Sequence, residues 1–128
     1  MSVTMHTALR TLYERAKDSM TIEELKSISG LVETAGAEAG RLSTVCDGIA
    51  CLVLSDGDAK LQCGSFRAPS SLFELLCSLS HGLDAIASMI EIGQEADFRA
   101  HELAAGREVR RYAAIKATRE TEAEGESA

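Results

Sequence analysis

Cysteine and histidine are the side chains of this sequence best suited to chemistry, and Cys77 and His81 stand four residues apart. On a helix this spacing places them one turn apart on the same face, as in metal-binding pairs. A tetrahedral zinc site needs two further ligands, and the sequence contains no CxxC or HxxxH motif to supply them. A helix also turns both side chains away from its leucine face. We therefore predict no metal site and no cofactor.

A catalytic arrangement is equally hard to find. Four cysteines are present, Cys46, Cys51, Cys63 and Cys77, but no glycine-rich oxyanion segment accompanies them. The Glu-x-x-His motif of di-iron bundles is absent, as are the phosphate-binding and dinucleotide-binding glycine motifs. The N-terminal residues lack the apolar run of a secretory signal, so we expect free thiols in a reducing cytoplasm. The sequence thus predicts a cytoplasmic protein that is not an enzyme.

Charge is distributed unevenly along the 128 residues, which carry a formal net charge of −7. Residues 72–98 contain five acidic residues and no basic one, whereas residues 99–119 contain six basic residues and two acidic ones. We predict an acidic face formed by Glu74, Asp84, Glu91 and Glu95. We predict a basic face formed by Arg99, Arg107, Arg110 and Arg111. The basic face suits pairing within the protein, an acidic protein partner or, less favoured because of the acidic net charge, nucleic acid.

The apolar periodicity predicts an all-α chain with one helical domain over residues 1–119 and an acidic disordered tail over 120–128. A short helix is expected at about 3–17 and a long one at about 22–54, which begins at a capping box, Thr21 to Glu24. A loop at about 55–70 precedes a second long helix at about 71–117. This last helix begins at another capping box, Ser71 to Glu74, and bends near Gly93.

Two features of the first long helix have more than one interpretation. Gly36 and Gly40 are one turn apart, which indicates either a close helix crossing or a helix break. Ile49 to Leu54 is apolar almost all round, so it is either buried between helices or covered by a second subunit. Because Asp56 and Gly57 form a hairpin turn signal, a short β-hairpin over 49–63 is the alternative.

The second long helix has the clearest amphipathic pattern. Its leucine face consists of Leu72, Leu75, Leu76, Leu79, Leu83, Ile86, Met89 and Ile90. Two long helices cover each other's apolar faces poorly, so we predict a homodimer in which two helical hairpins complete a four-helix bundle. This face is the expected dimer or partner interface.

These patterns favour a small helical protein–protein interaction or regulatory protein acting as a homodimer. In size and pattern the sequence resembles the small helical accessory proteins of bacteria and their phages. One alternative is an acidic phage-type inhibitor of a nucleic-acid-binding complex, of the anti-defence or anti-CRISPR kind. A second alternative is a weak nucleic-acid binder that uses the C-terminal arginines. The longest unbroken apolar stretch, Ile49 to Leu54, is far shorter than a membrane span, so we predict no membrane partner.

Overall fold

The computed structural model describes residues 3–58 and 68–127. Within these two ranges the chain is helical and contains no strand, which confirms the all-α prediction. The helices, in chain order, are α1 (Met5–Ala16), α2 (Ile22–Ser29), α3 (Leu31–Asp58) and α4 (Pro69–Glu126).

Local capping interactions set several of these boundaries. The predicted capping box at the start of α2 is confirmed, because the Glu24 amide donates to Thr21 Oγ1 at 3.2 Å and the Thr21 amide donates to Glu24 Oε2 at 2.8 Å. The second predicted box, at Ser71, is wrong. Helix α4 begins at Pro69 with Ala68 as its N-cap and no side-chain cap. Proline suits this position because its fixed φ is helical and the missing N–H would have no helical acceptor there.

The predicted long helix over 22–54 is divided at Gly30, which ends α2. Helix α3 then continues to Asp58. The β-hairpin alternative is therefore wrong for residues 49–58, and residues 59–63 lie outside the described part of the chain. Gly36 and Gly40 lie inside α3, and a Cβ built on either would meet nothing within 4 Å. Neither a helix crossing nor a helix break occurs at these two glycines.

Helix α4 is the element on which the other three pack. His6 of α1 lies beside Glu91 of α4, Arg10 lies beside Glu95, and Asp18, just after α1, pairs with Arg99. Helix α1 therefore runs parallel to α4. Val32 lies against Gly93 and Leu42 against Gly82, so α3 runs antiparallel to it. The buried core brings α1 and α2 onto a face of α4 with small side chains, and its members are Tyr13, Ile22, Leu25, Ile92, Ala96 and Ala100. Alanines allow α2 to approach closely, which buries Leu25 completely.

Gly93 also has a different role from the predicted one. Helix α4 continues without interruption through this residue, which is buried against the junction of α2 and α3. A Cβ at Gly93 would lie 2.7 Å from Val32 Cγ2 and 3.1 Å from the Val32 amide nitrogen. The glycine therefore permits a close approach of backbones and does not mark the expected bend.

The C-terminal part of α4, residues 105–126, projects beyond the other helices, and we call it the overhang. None of its residues is buried. At 1.5 Å per residue the overhang is about 33 Å long. The prediction of a disordered tail over 120–128 is wrong as far as Glu126, because the helix continues to that residue. Strong helix formers and a Lys116–Glu120 pair one turn apart favour the helical state.

Candidate interaction surfaces

The predicted leucine face is split in two by the packing of α1 and α3. On its inner side, Ile86 is buried and lines a cleft with Leu42 of α3, while Met89 lies beside Leu31 in a second cleft. Leu75 and Leu79 are half-buried. The outer side remains in solvent and consists of Leu72, Leu76, Leu83 and Ile90. Only part of the predicted face is therefore available to a partner.

Leu76, Leu83 and Ile90 belong to a longer stripe, which we call the outer seam. Its members are between 36% and 78% exposed and comprise Phe73, Leu76, Leu83, Ile90, Phe98, Val109 and Tyr112. At 100° per residue they fall within an arc of about 100° on one side of α4. Successive members are three, seven, seven, eight, eleven and three residues apart. Such spacing is typical of a helix that pairs with another helix along its length.

Phe98, Val109 and Tyr112 form a second apolar stripe on α4, beyond the leucine face. The signal that joins them is Phe73, which lies on the same side of the helix as Phe98 and Val109. Because α4 is a single uninterrupted helix, the two stripes lie along the same side of it and form one seam. The seam runs about 60 Å along the helix.

The solvent-exposed area of this chain is larger than that of a compact monomer of the same mass. The chain exposes 9816 Å² to solvent. A compact monomer of the same mass exposes roughly 6,600 Å². The overhang, none of whose residues is buried, and the exposed outer seam contribute to this excess. Contiguous apolar surface of this kind marks an interaction site.

Three of the four residues of the predicted acidic face, Asp84, Glu91 and Glu95, contact α1 or its C-cap. The His6 amide donates to Asp84 Oδ2 at 3.2 Å, and His6 Nε2 lies 2.9 Å from Glu91 Oε2. Arg10 Nη1 lies 3.0 Å from the same Glu91 oxygen. Glu95 accepts a hydrogen bond from Lys17 Nζ at 3.3 Å. The sequence gives no sign of these pairs, because the partners are about 80 residues apart.

The contact between α1 and Glu91 of α4 is expected to make the fold less stable at acidic pH. The hydrogen bond with His6, assisted by Arg10, holds the pKa of Glu91 below its usual value. A carboxylate with a lowered folded-state pKa stabilises the fold above its unfolded pKa of about 4.3 and loses that contribution as pH falls through the folded value. We expect Glu91→Gln to make the melting temperature less dependent on pH between about 6 and 3.

Thermal denaturation followed by circular dichroism at several pH values measures this effect. Glu102→Gln is the matched control, because Glu102 lies on the same helix, is exposed and makes no ion pair within the described part of the chain. An equal flattening of the pH profile by both variants would show that α1 does not bind Glu91 in solution.

The predicted basic face is also divided. Arg99 pairs with Asp18, next to the end of α1. Arg107, Arg110 and Arg111 lie on the overhang, where they are exposed and have no acidic partner among residues 3–58 and 68–127. Arg110 Nε donates only to the Gly106 carbonyl, one turn earlier, at 3.1 Å. These three guanidinium groups form an unpaired patch on one side of a projecting helix.

The candidate metal pair is not completed by the fold. Cys77 is half-buried and His81 is exposed on α4. In the described ranges no group of three or more metal-binding side chains comes together. Cys46, Cys51 and Cys77 are free thiols, and Cys63 lies outside the described residues.

Helix α4 also contains one 18-residue stretch that meets the length and composition of a membrane span. Its mean hydropathy is 1.3, and 11% of it is buried within the chain. Core helices of soluble proteins can have the same length and composition, but they are mostly buried, unlike this stretch. The absence of a membrane partner remains a prediction.

No family model, curated protein or solved structure matches this chain. The function must therefore be argued from the surfaces themselves.

Proposed function

We propose that this protein is a helical protein–protein interaction or regulatory protein that acts as a homodimer through the outer seam of α4. The observation that carries the proposal is the seam itself, an exposed apolar stripe on a helix of 58 residues, which Gln94 and His101 interrupt. Within residues 3–58 and 68–127, α1, α2 and α3 leave it exposed. Pairing two seams removes this surface from water and leaves the remaining faces of each chain free for a partner.

Sedimentation equilibrium tests the proposal, since a dimer has twice the chain mass of 13.6 kDa. A monomer at concentrations of about 100 μM would be incompatible with a functional dimer, because it corresponds to a dissociation constant weaker than the micromolar range. The variant that separates the seam from other surfaces, Leu83→Asp, is described in the Discussion.

The free arginine patch supports a second candidate, the binding of nucleic acid by Arg107, Arg110 and Arg111. Three guanidinium groups on adjacent turns suit backbone phosphates. The acidic-inhibitor alternative draws less support from the structure, since Asp84, Glu91 and Glu95 are occupied by α1.

For this second candidate, we expect changing the three patch arginines to alanine to weaken binding to a fluorescent DNA or RNA duplex by at least tenfold at low salt. Fluorescence anisotropy across a salt series measures the affinity and its salt dependence. Arg15→Ala removes another exposed arginine, on α1, and serves as the control. Binding that is absent in the unaltered protein, or insensitive to the triple change, rules the candidate out.

A further inference from the structure

We propose that the two copies pair antiparallel along the outer seam, so that each overhang lies against the body of its partner. This inference rests on the proposed homodimer and adds its orientation. It follows from three properties of α4, namely where the seam begins and ends, how charge is distributed along the chain, and which surface remains uncovered.

The seam is compatible with its own reversed copy. It begins at Phe73 and ends at Tyr112, so its midpoint lies between residues 92 and 93. Reversal about this midpoint sets Leu83 and Ile90 beside the partner's Glu102 and Glu95. It places Phe73 opposite the partner's Tyr112, Leu76 opposite the partner's Val109, and Ala87 opposite the partner's Phe98. The last pair sets a small side chain against a large one, which is how facing helices interdigitate without voids.

Charge favours the same orientation. Residues 3–58 and 68–98, which we call the body, contain five basic and fourteen acidic residues, a net charge of −9. Residues 99–119 contain six basic and two acidic residues, a net charge of +4. Antiparallel pairing sets the positive segment of each copy beside the negative body of the other. Parallel pairing would set the positive segment of one copy beside the positive segment of the other. These like charges repel.

The uncovered surface gives the third argument. In a parallel pair the two overhangs would meet only each other, beyond both bodies. In an antiparallel pair each overhang lies beside the first half of the partner's α4, where Phe73 and Leu76 are exposed. The seven seam side chains, with the residues between them on the same side of α4, offer on the order of 800 Å² per copy, the area of a typical stable interface.

Antiparallel pairing also determines how the dimer presents its arginine patches. Each patch lies about 17 residues from the midpoint of the seam, so the two patches are about 50 Å apart at opposite ends of the dimer. Parallel pairing would bring them together at one end. An antiparallel dimer therefore keeps the two patches apart.

Disulfide trapping between engineered cysteines measures the orientation. All four native cysteines are first replaced by serine, and Leu76→Cys and Val109→Cys are introduced separately. The two variants are then mixed under mild denaturation, refolded and oxidised. We expect the mixture to form a covalent heterodimer in at least tenfold excess over the dimers that either variant forms alone. Leu52→Cys, an equally exposed position on α3, is the matched control and is expected not to cross-link with either variant.

Sedimentation of the same samples separates the orientation from the proposed function. A dimer in which Leu76→Cys and Val109→Cys each cross-link with themselves is parallel, which overturns the inference and leaves the homodimer intact. A monomer overturns both. Vesicles of neutral phospholipid provide a further arm, because flotation of the chain with the vesicles, accompanied by loss of the dimer, would identify the occupant of the seam as lipid and overturn both proposals.

Discussion

Leu83→Asp is expected to convert the dimer into a folded monomer. Leu83 lies in the middle of the outer seam and is 58% exposed within one chain, so its replacement removes little from the core of the monomer. In the dimer it is covered by the partner. Burying a large apolar side chain is worth about 1.5–3 kcal/mol, and each dimer contains two copies of the residue. A loss of about 3 kcal/mol or more weakens the dissociation constant at least 100-fold.

Sedimentation equilibrium over a concentration series measures this change, and circular dichroism reports whether the helices are retained. Leu52→Asp is the matched control, since Leu52 is 61% exposed and lies on α3, away from the seam. We expect it to leave the dimer intact. A dimer that survives Leu83→Asp, or one that Leu52→Asp disrupts equally, would place the interface elsewhere.

Gly93→Ala is expected to lower the free energy of unfolding by about 1–3 kcal/mol, although alanine is the better helix former. The added methyl group would lie 2.7 Å from Val32 Cγ2 and 3.1 Å from the Val32 amide nitrogen. The valine side chain can rotate away, but the backbone nitrogen can move only if the start of α3 shifts. Because α2 and α3 meet at this point, the shift would loosen both helices on α4.

The control for this prediction is the same substitution where the chain is open. Nothing lies within 4 Å of a Cβ at Gly40, so Gly40→Ala is expected to raise the free energy of unfolding by about 0.5–1 kcal/mol. Urea denaturation of both variants gives the two values. If Gly93→Ala were stabilised as much as Gly40→Ala, the backbones would not approach closely at residue 93.

The all-α class and the amphipathic face of the last helix follow from the sequence alone. Both depend on interactions within a few turns. Apolar residues three and four apart identify a helix face whatever its neighbours are, and the box from Thr21 to Glu24 needs only the first turn of α2. The same reasoning does not determine the start of α4. Pro69 and Ser71 both suit the first turn of a helix, and the helix begins at Pro69.

Which surfaces remain free is decided by the tertiary structure. Periodicity places Leu83 and Ile86 on one face, but the position of α3 buries Ile86 and leaves Leu83 in solvent. Periodicity also places Glu91 among the polar residues of α4. It does not reveal the contacts with His6 and Arg10, which lie about 80 residues away in the sequence. Gly93 carries a buried contact whereas Gly36 and Gly40 do not, although all three are glycines within a helix. The physical reason is that helix formation depends on near neighbours in the chain, whereas burial depends on how whole helices pack.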